Sequence, residues 1–233
     1  MNIENRILYE DNHLIVINKL AGEIVQGDKT GDIPLIESVK SYLKEKYQKP
    51  GNVFCGLVHR IDRPVSGAVI FAKTSKALVR MNELIKLRKI SKIYIAVVEK
   101  EPSTAEQHLV NYLTRNEKLN KSFVSNKETA GAVIAELAYK VIEHLKNYTV
   151  LEVELLTGRH HQIRAQLAAN GTIIKGDLKY GAKRSNKDGS ISLHAYSITF
   201  EHPTTHQTIH IIAPLIGEMA HLINFLTQNK STT

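Results

Sequence analysis

Cysteine is almost absent from this chain, tryptophan is missing altogether, and no long apolar run interrupts it. The single cysteine, Cys55, excludes an internal disulfide and a cysteine metal site among the 233 residues. It sits in the strand-like run NVFCGLVHR, where a buried, inert thiol is expected, because a reactive thiol needs an exposed electropositive setting. Without about twenty consecutive apolar residues there is no membrane span. The N-terminus, MNIENRILYED, lacks the basic, apolar and small-residue regions of a signal peptide, so a cytoplasmic protein is expected. Five Phe and nine Tyr, with no Trp, argue against a broad aromatic platform for single strands. GxGxxG and HExxH are both missing, and GEIVQGDKT fails as a P-loop because Asp28 separates Gly27 from Lys29 and would face the phosphates. His160 and His161 are adjacent, so on a helix they would point about 100° apart, a poor pair for one metal.

What is present is an ordinary globular balance, 42% apolar and 23% charged, with a net charge of +8. A basic chain attracts polyanions, nucleic acid foremost, although solubility alone accounts for many basic proteins. RILYED and HLIVINK read as two strands around a turn at Glu10–His13. Residues 34–47 read as a helix, with Pro34 suited to its first turn and Leu35, Val39 and Leu43 on one stripe. GLVH and GAVIFAK flank a loop as strands, and SKALVRMNELIKLRK is an amphipathic helix with Leu78, Met81, Leu84 and Ile85 inward. KIYIAVVE is a strand, and AVIAELAYKVIEHL and YTVLEVELL are two long ones joined near Lys146 and Asn147. Asn116–Lys127 reads as an exposed hairpin. GRHHQIRAQLAANG reads as a helix begun by Thr157 and ended by Asn170-Gly171. LHAYSITF and TIHIIAP close the sheet before a last helix over 217–228, and the tail 229–233 is expected to fray. The expected class is α+β with a large, mixed or mostly antiparallel sheet, in one domain over residues 1–233.

Three groups of residues are candidates for chemistry. In His59-Arg60-Ile61-Asp62-Arg63-Pro64-Val65-Ser66-Gly67, two arginines bracket one aspartate, Pro64 stiffens the loop and Gly67 permits a turn. A carboxylate between cations stays ionised, as a nucleophile or base must, and the cations can hold phosphate. By spacing alone the same loop reads more readily as a surface salt bridge. In TGRHHQIRAQLAANG, Arg159 and Arg164 stand near a helix start, a ready anion site, with His160, Arg164 and Leu167 on one face. A solvated basic helix is the plain alternative. Glu152 and Glu154 share a strand face and could form a carboxylate pair for glycoside chemistry, but a solvated face explains them better.

HRIDRPVSG resembles the HRLDxxTSG motif of the RluA family of RNA pseudouridine synthases. TGRHHQIRAQLAANG with the following GD and YG, KIYIAVV, LHAYSITFEHP and the opening ILYEDNHLIVINKLAG resemble that family's other stretches, in order, over about residues 7–215. Ile61 for Leu, Val65 for Thr and Leu20 for Pro are the departures. The resemblance implies an enzyme that flips a uridine out of transfer RNA or large-subunit ribosomal RNA and isomerises it. It implies Asp62 as catalytic carboxylate, Tyr94 as the wall for the base, and Arg164 as the arginine paired with Asp62. Arg60 would fill the gap left by the base, and His59, Arg63, Arg159 and His161 would meet the RNA. The reaction is redox-neutral, so neither metal nor organic cofactor is implied, and a monomer is expected. The family pattern starting near residue 7 implies no separate RNA-binding domain before it. A catalytically silent RNA binder is the competing reading.

Overall fold

A computed structural model of the chain describes residues 2–28 and 30–229, with side chains as far as residue 223. Lys29 of the P-loop-like stretch and residues 230–233 of the tail lie outside the described residues. After a 3₁₀ turn (Glu4–Arg6) come β1 (Ile7–Glu10), β2 (Leu14–Lys19), α1 (Leu35–Lys46), β3 (Gly56–Leu57), β4 (Ser66–Ala72) and α2 (Ser75–Lys86). Strands β5 (Ser91–Val98), β6 (Glu106–Asn116), β7 (Lys121–Ser125), β8 (Val133–His144) and β9 (Thr149–Leu155) follow. Then come α3 (Gln162–Ala169), a 3₁₀ turn (Leu178–Tyr180), β10 (Leu193–Glu201), β11 (Thr208–Ile212) and α4 (Gly217–Asn229). The fold is α+β, as expected. Among the described residues no helix is long and apolar enough to cross a membrane. The chain gathers into two compact units, Met1–Ser91 with Ala195–Pro214, and Lys92–His194 with Leu215–Thr233.

In the first unit the strand order is β1-β2-β4-β10, with β3 also on β4 and β11 on β10. All six residues of β2 are buried, which is why LIVI reads as an unbroken apolar run rather than an alternating one. Leu14, Val16, Ile70, Met81, Phe200 and Ile211 belong to one core cluster. Helix α1 buries Leu35, Val39 and Leu43, while Pro34 stands just outside its first turn, at the cap. The Thr74 hydroxyl caps α2 by accepting the Ala77 N–H at 3.1 Å, worth about 1 kcal/mol. Ile85, expected inward, is 37% exposed, because in that last turn only Leu84 keeps to the core. Cys55 is buried, and burial pushes its thiol up to about 12, the inert state expected.

In the second unit the order is β5-β9-β8-β6-β7, antiparallel at every pairing. The hairpin falls where expected, with Asn116 opposite Lys121. Its first strand, β6, goes unseen in the sequence because of its eleven residues only Leu109 and Leu113 are buried. Helix α3 lies on the side of the sheet that carries Leu113 and Ala135, meeting them with Ala165. Gln166 fastens it there, donating to the Asn111 Oδ1 at 2.8 Å and to the Leu109 and Ala135 carbonyls.

Candidate active site

Asp62 lies in the first unit, half-buried, on the loop between β3 and β4. The Val65 N–H donates to the Asp62 carbonyl at 3.0 Å and closes the turn. His59 is used by the fold: its Nε2 accepts the Ile70 N–H at 3.2 Å. Arg63 is paired with Asp32 at 2.7 Å and Arg60 is exposed. Gly67 does not make the turn expected of it. It is the second residue of β4, opposite Lys19, at φ +116°, and a Cβ there would stand 2.3 Å from the Ala195 carbonyl oxygen. Left-handed backbone and close main-chain approach both demand glycine.

Beneath the loop is a residue whose role the sequence did not disclose. Lys19 is fully buried at the end of β2, and its ammonium donates to the carbonyls of Leu20 (2.8 Å), Glu23 (2.8 Å) and Arg63 (3.1 Å). Burial pushes its pKa down to about 7, against the opposing pull of the Glu23 and Asp62 carboxylates. Lys19 thus ties the residue after Asp62 to the sheet and sets a cation near the carboxylate. Leu20, where the family pattern has proline, donates its N–H to Glu23 Oε2 at 2.9 Å, a bond proline cannot make. The same oxygen takes Arg6 Nη1 at 2.7 Å.

Tyr94 and Arg164 lie in the second unit. Tyr94 is buried, opposite Val153 on β9, which is opposite Tyr139 on β8. Paired residues point to the same face, so Tyr94 belongs to the side that α3 covers. Arg164, in the first turn of α3, is buried and forked onto buried Asp177: Nε to Oδ2 at 2.7 Å and Nη2 to Oδ1 at 2.8 Å. The fork uses two of the five guanidinium N–H donors and fixes the plane of the group, leaving three for other partners. Tyr180 lies under it, ring centroid 5.1 Å from Cζ. Asp177 and Tyr180 stand in the GD and YG that follow the helix in sequence, and only the fold reveals what they hold.

Thr157 does not begin α3, which starts five residues later. His161 occupies the cap at φ +52°, outside helical conformation, so residues 158–161 form a turn. Gln162 braces that turn by accepting the Arg159 N–H at 2.9 Å and the Thr157 hydroxyl at 2.7 Å. His160 therefore shares no helical face with Arg164. It stacks on His161, ring centroids 3.8 Å apart, and meets the Ser122 hydroxyl at 2.9 Å. Arg159 is exposed and donates to the Ile134 carbonyl at 3.0 Å. Burial, then the charges of Arg164, His160, Lys179 and Arg115, hold the His161 pKa down at about 2, so the ring is neutral. Glu152 is neutralised by Lys140 at 2.8 Å, the solvated strand face expected of it. No group of three metal-ligating side chains occurs among the described residues.

Residues 13–169 match the model of a family described as RNA pseudouridylate synthase. The ribosomal large subunit pseudouridine synthase C of Buchnera aphidicola subsp. Schizaphis graminum is 33% identical over 97% of this chain and 72% of its own length. That of Pasteurella multocida is 31% identical over 99% and 70%. Among solved structures, human RNA pseudouridylate synthase domain containing 4 aligns over 97% of this chain and 94% of its own, with a TM-score of 0.82 at 20% identity. Human RNA pseudouridylate synthase domain containing 1 aligns over 98% and 95%, with a TM-score of 0.71 at 20% identity. These two likenesses bear on fold alone.

Proposed function

Because the chain belongs to the RNA pseudouridylate synthase family, and is an enzyme isomerising uridine to pseudouridine in RNA, we propose that its substrate is large-subunit ribosomal RNA and that Asp62 is its catalytic carboxylate. The observation that carries the substrate is relatedness along nearly the whole chain to synthases named for that RNA. The whole chain acts as one catalytic domain, as a monomer and in the cytoplasm.

Asp62, Tyr94 and Arg164 are the catalytic residues. Support for each is the family motif it stands in and its setting within its own unit: Asp62 on a loop pinned through Lys19, Tyr94 buried on β5, Arg164 aligned by Asp177. The target uridine leaves the stack, at a cost of a few kcal/mol that is lowest in a loop. Arg60 fills the gap, and His59, Arg63, Arg159 and His161 meet the RNA, Arg63 exchanging Asp32 for a phosphate. The base lies against Tyr94. Asp62 acts as the anion while the N1–C1′ bond breaks, the uracil turns and C5 joins C1′. The C5 proton leaves and N1 gains one, so atoms and electrons balance without a co-reactant. Arg164, held by Asp177, is the arginine that pairs with the carboxylate.

The test is tritium release from RNA labelled at uridine C5, comparing large-subunit ribosomal and transfer RNA. Wild type should release tritium from the ribosomal RNA, whereas Asp62→Ala should release none while keeping most RNA affinity, which is spread over many phosphate contacts. Turnover by Asp62→Ala overturns the carboxylate assignment, and release from transfer RNA alone overturns the substrate.

A further inference from the structure

Lys92 is the second residue of β5, and exposure falls along that strand from exposed Ser91 through half-buried Lys92 to buried Tyr94. Alternation places the Lys92 and Tyr94 side chains on one face, their roots about 7 Å apart at a rise of about 3.3 Å per residue. The Lys92 ammonium reaches the main chain of Gly158, where a Cβ would stand 3.7 Å from Nζ. No side chain at residue 158 shields it.

Among the described residues the other lysines withdrawn from solvent are satisfied, Lys40 by Glu37 at 2.7 Å and Lys121 by the Tyr180 ring, whose centroid is 4.7 Å from the ammonium. Lys19 has its three carbonyls, Lys73 has Glu10 at 2.8 Å, and Lys175 has Glu218 and Asn186. Lys92 makes no hydrogen bond or ion pair with any described residue. Burial lowers its pKa and no neighbouring charge opposes the shift. An ammonium taken partly out of water without a partner costs free energy, and an arriving anion relieves that cost.

We infer that Lys92 binds RNA by holding a backbone phosphate that flanks the flipped uridine, at the rim above Tyr94. The inference rests on the reading of Tyr94 as the wall for the target base. A nucleotide turned about its backbone sends the base inward and leaves its phosphates at the mouth. The gradient along β5 has that form, with a deep aromatic wall and an unpartnered cation two residues nearer the exposed end.

The experiment measures RNA affinity against salt, together with kcat and KM, for wild type, Lys92→Gln and Lys92→Arg. It uses an RNA carrying the converted uridine, with each flanking phosphate replaced in turn by an uncharged methylphosphonate. Lys92→Gln should weaken binding about tenfold and shrink the log–log salt slope by about 0.7 to 0.9, one phosphate contact. Lys92→Arg should restore most of both. At one linkage the neutral phosphonate should cost wild type about as much and cost Lys92→Gln nothing more. The thermal midpoint of Lys92→Gln should not fall, since the ammonium has no partner to lose. Losses that multiply at both linkages, a fallen midpoint, or a loss of kcat with affinity and slope unmoved would each overturn the inference. The cycle is read on binding, so it is separate from turnover by Asp62→Ala or Tyr94→Ala, which decides the reading of the site itself.

Discussion

Side-chain protons decide how the second unit is held. The Ser122 N–H donates to the Tyr180 hydroxyl at 3.0 Å, and that hydroxyl donates to the Ser122 carbonyl at 3.0 Å. With its one proton so placed, Tyr180 can only accept from His161 Nδ1, 3.1 Å away, so the neutral ring carries its proton on Nδ1. Folding therefore depresses the His161 pKa from 6.5 to about 2. Between those values the unfolded chain binds the extra proton, so stability rises with pH there. The contribution is complete above about 6.5 and is lost progressively as pH falls toward 2. Unfolding free energy measured from pH 7 to pH 4 should fall more steeply for wild type than for His161→Gln. Parallel curves would show that the ring is not held neutral.

At the scale of elements, one carboxylate fastens α1 to the sheet. Glu10, at the end of β1, accepts from Tyr42 (2.9 Å) and Lys46 (2.8 Å) of α1, from Tyr47 just beyond it (2.8 Å), and from Lys73 after β4 (2.8 Å). Burial would raise its pKa, but the four donors outweigh burial and hold it at about 2. Lys73 is itself buried, so Glu10→Ala leaves it with only the Asp11 carbonyl and the Tyr47 hydroxyl and no counter-charge, as well as freeing the helix end. We expect a loss of about 3–5 kcal/mol in denaturant unfolding, the range for breaking a buried pair. A loss below about 1 kcal/mol would place the anchor in the apolar stripe of Leu35, Val39 and Leu43 alone.

For the whole molecule, the excess of 31 Lys and Arg over 23 Asp and Glu acts through the solvent rather than through any one contact. It steers a polyanion and makes affinity depend on counterion release. Three or more phosphate contacts, for which Arg63, Arg159 and Lys92 are the candidates, predict a log–log salt slope for RNA binding steeper than about −2. Titrations from 50 to 200 mM salt, as about a fourfold range, measure it. A flat dependence would mean that the positive charge serves solubility and that RNA is held by other groups.

Local periodicity and motif determined most of the elements: the β1–β2 hairpin, the stripe of α1, the β6–β7 turn, and the stretches around Asp62, Tyr94 and Arg164 by which the family is known. These are contacts between near neighbours in the chain, so a short window contains their cause. Strand β6 escaped because it buries only two side chains, and the true start of α3 escaped because Gln162, a side chain inside the helix, braces the turn before it. The roles of Lys19, Asp177 and Gly67 were decided by tertiary structure alone. Lys19 meets Arg63 from 44 residues away, Asp177 meets Arg164 from 13, and Gly67 is required by main chain at Ala195. Buried polar groups and close backbone approaches draw their meaning from partners that only folding brings near.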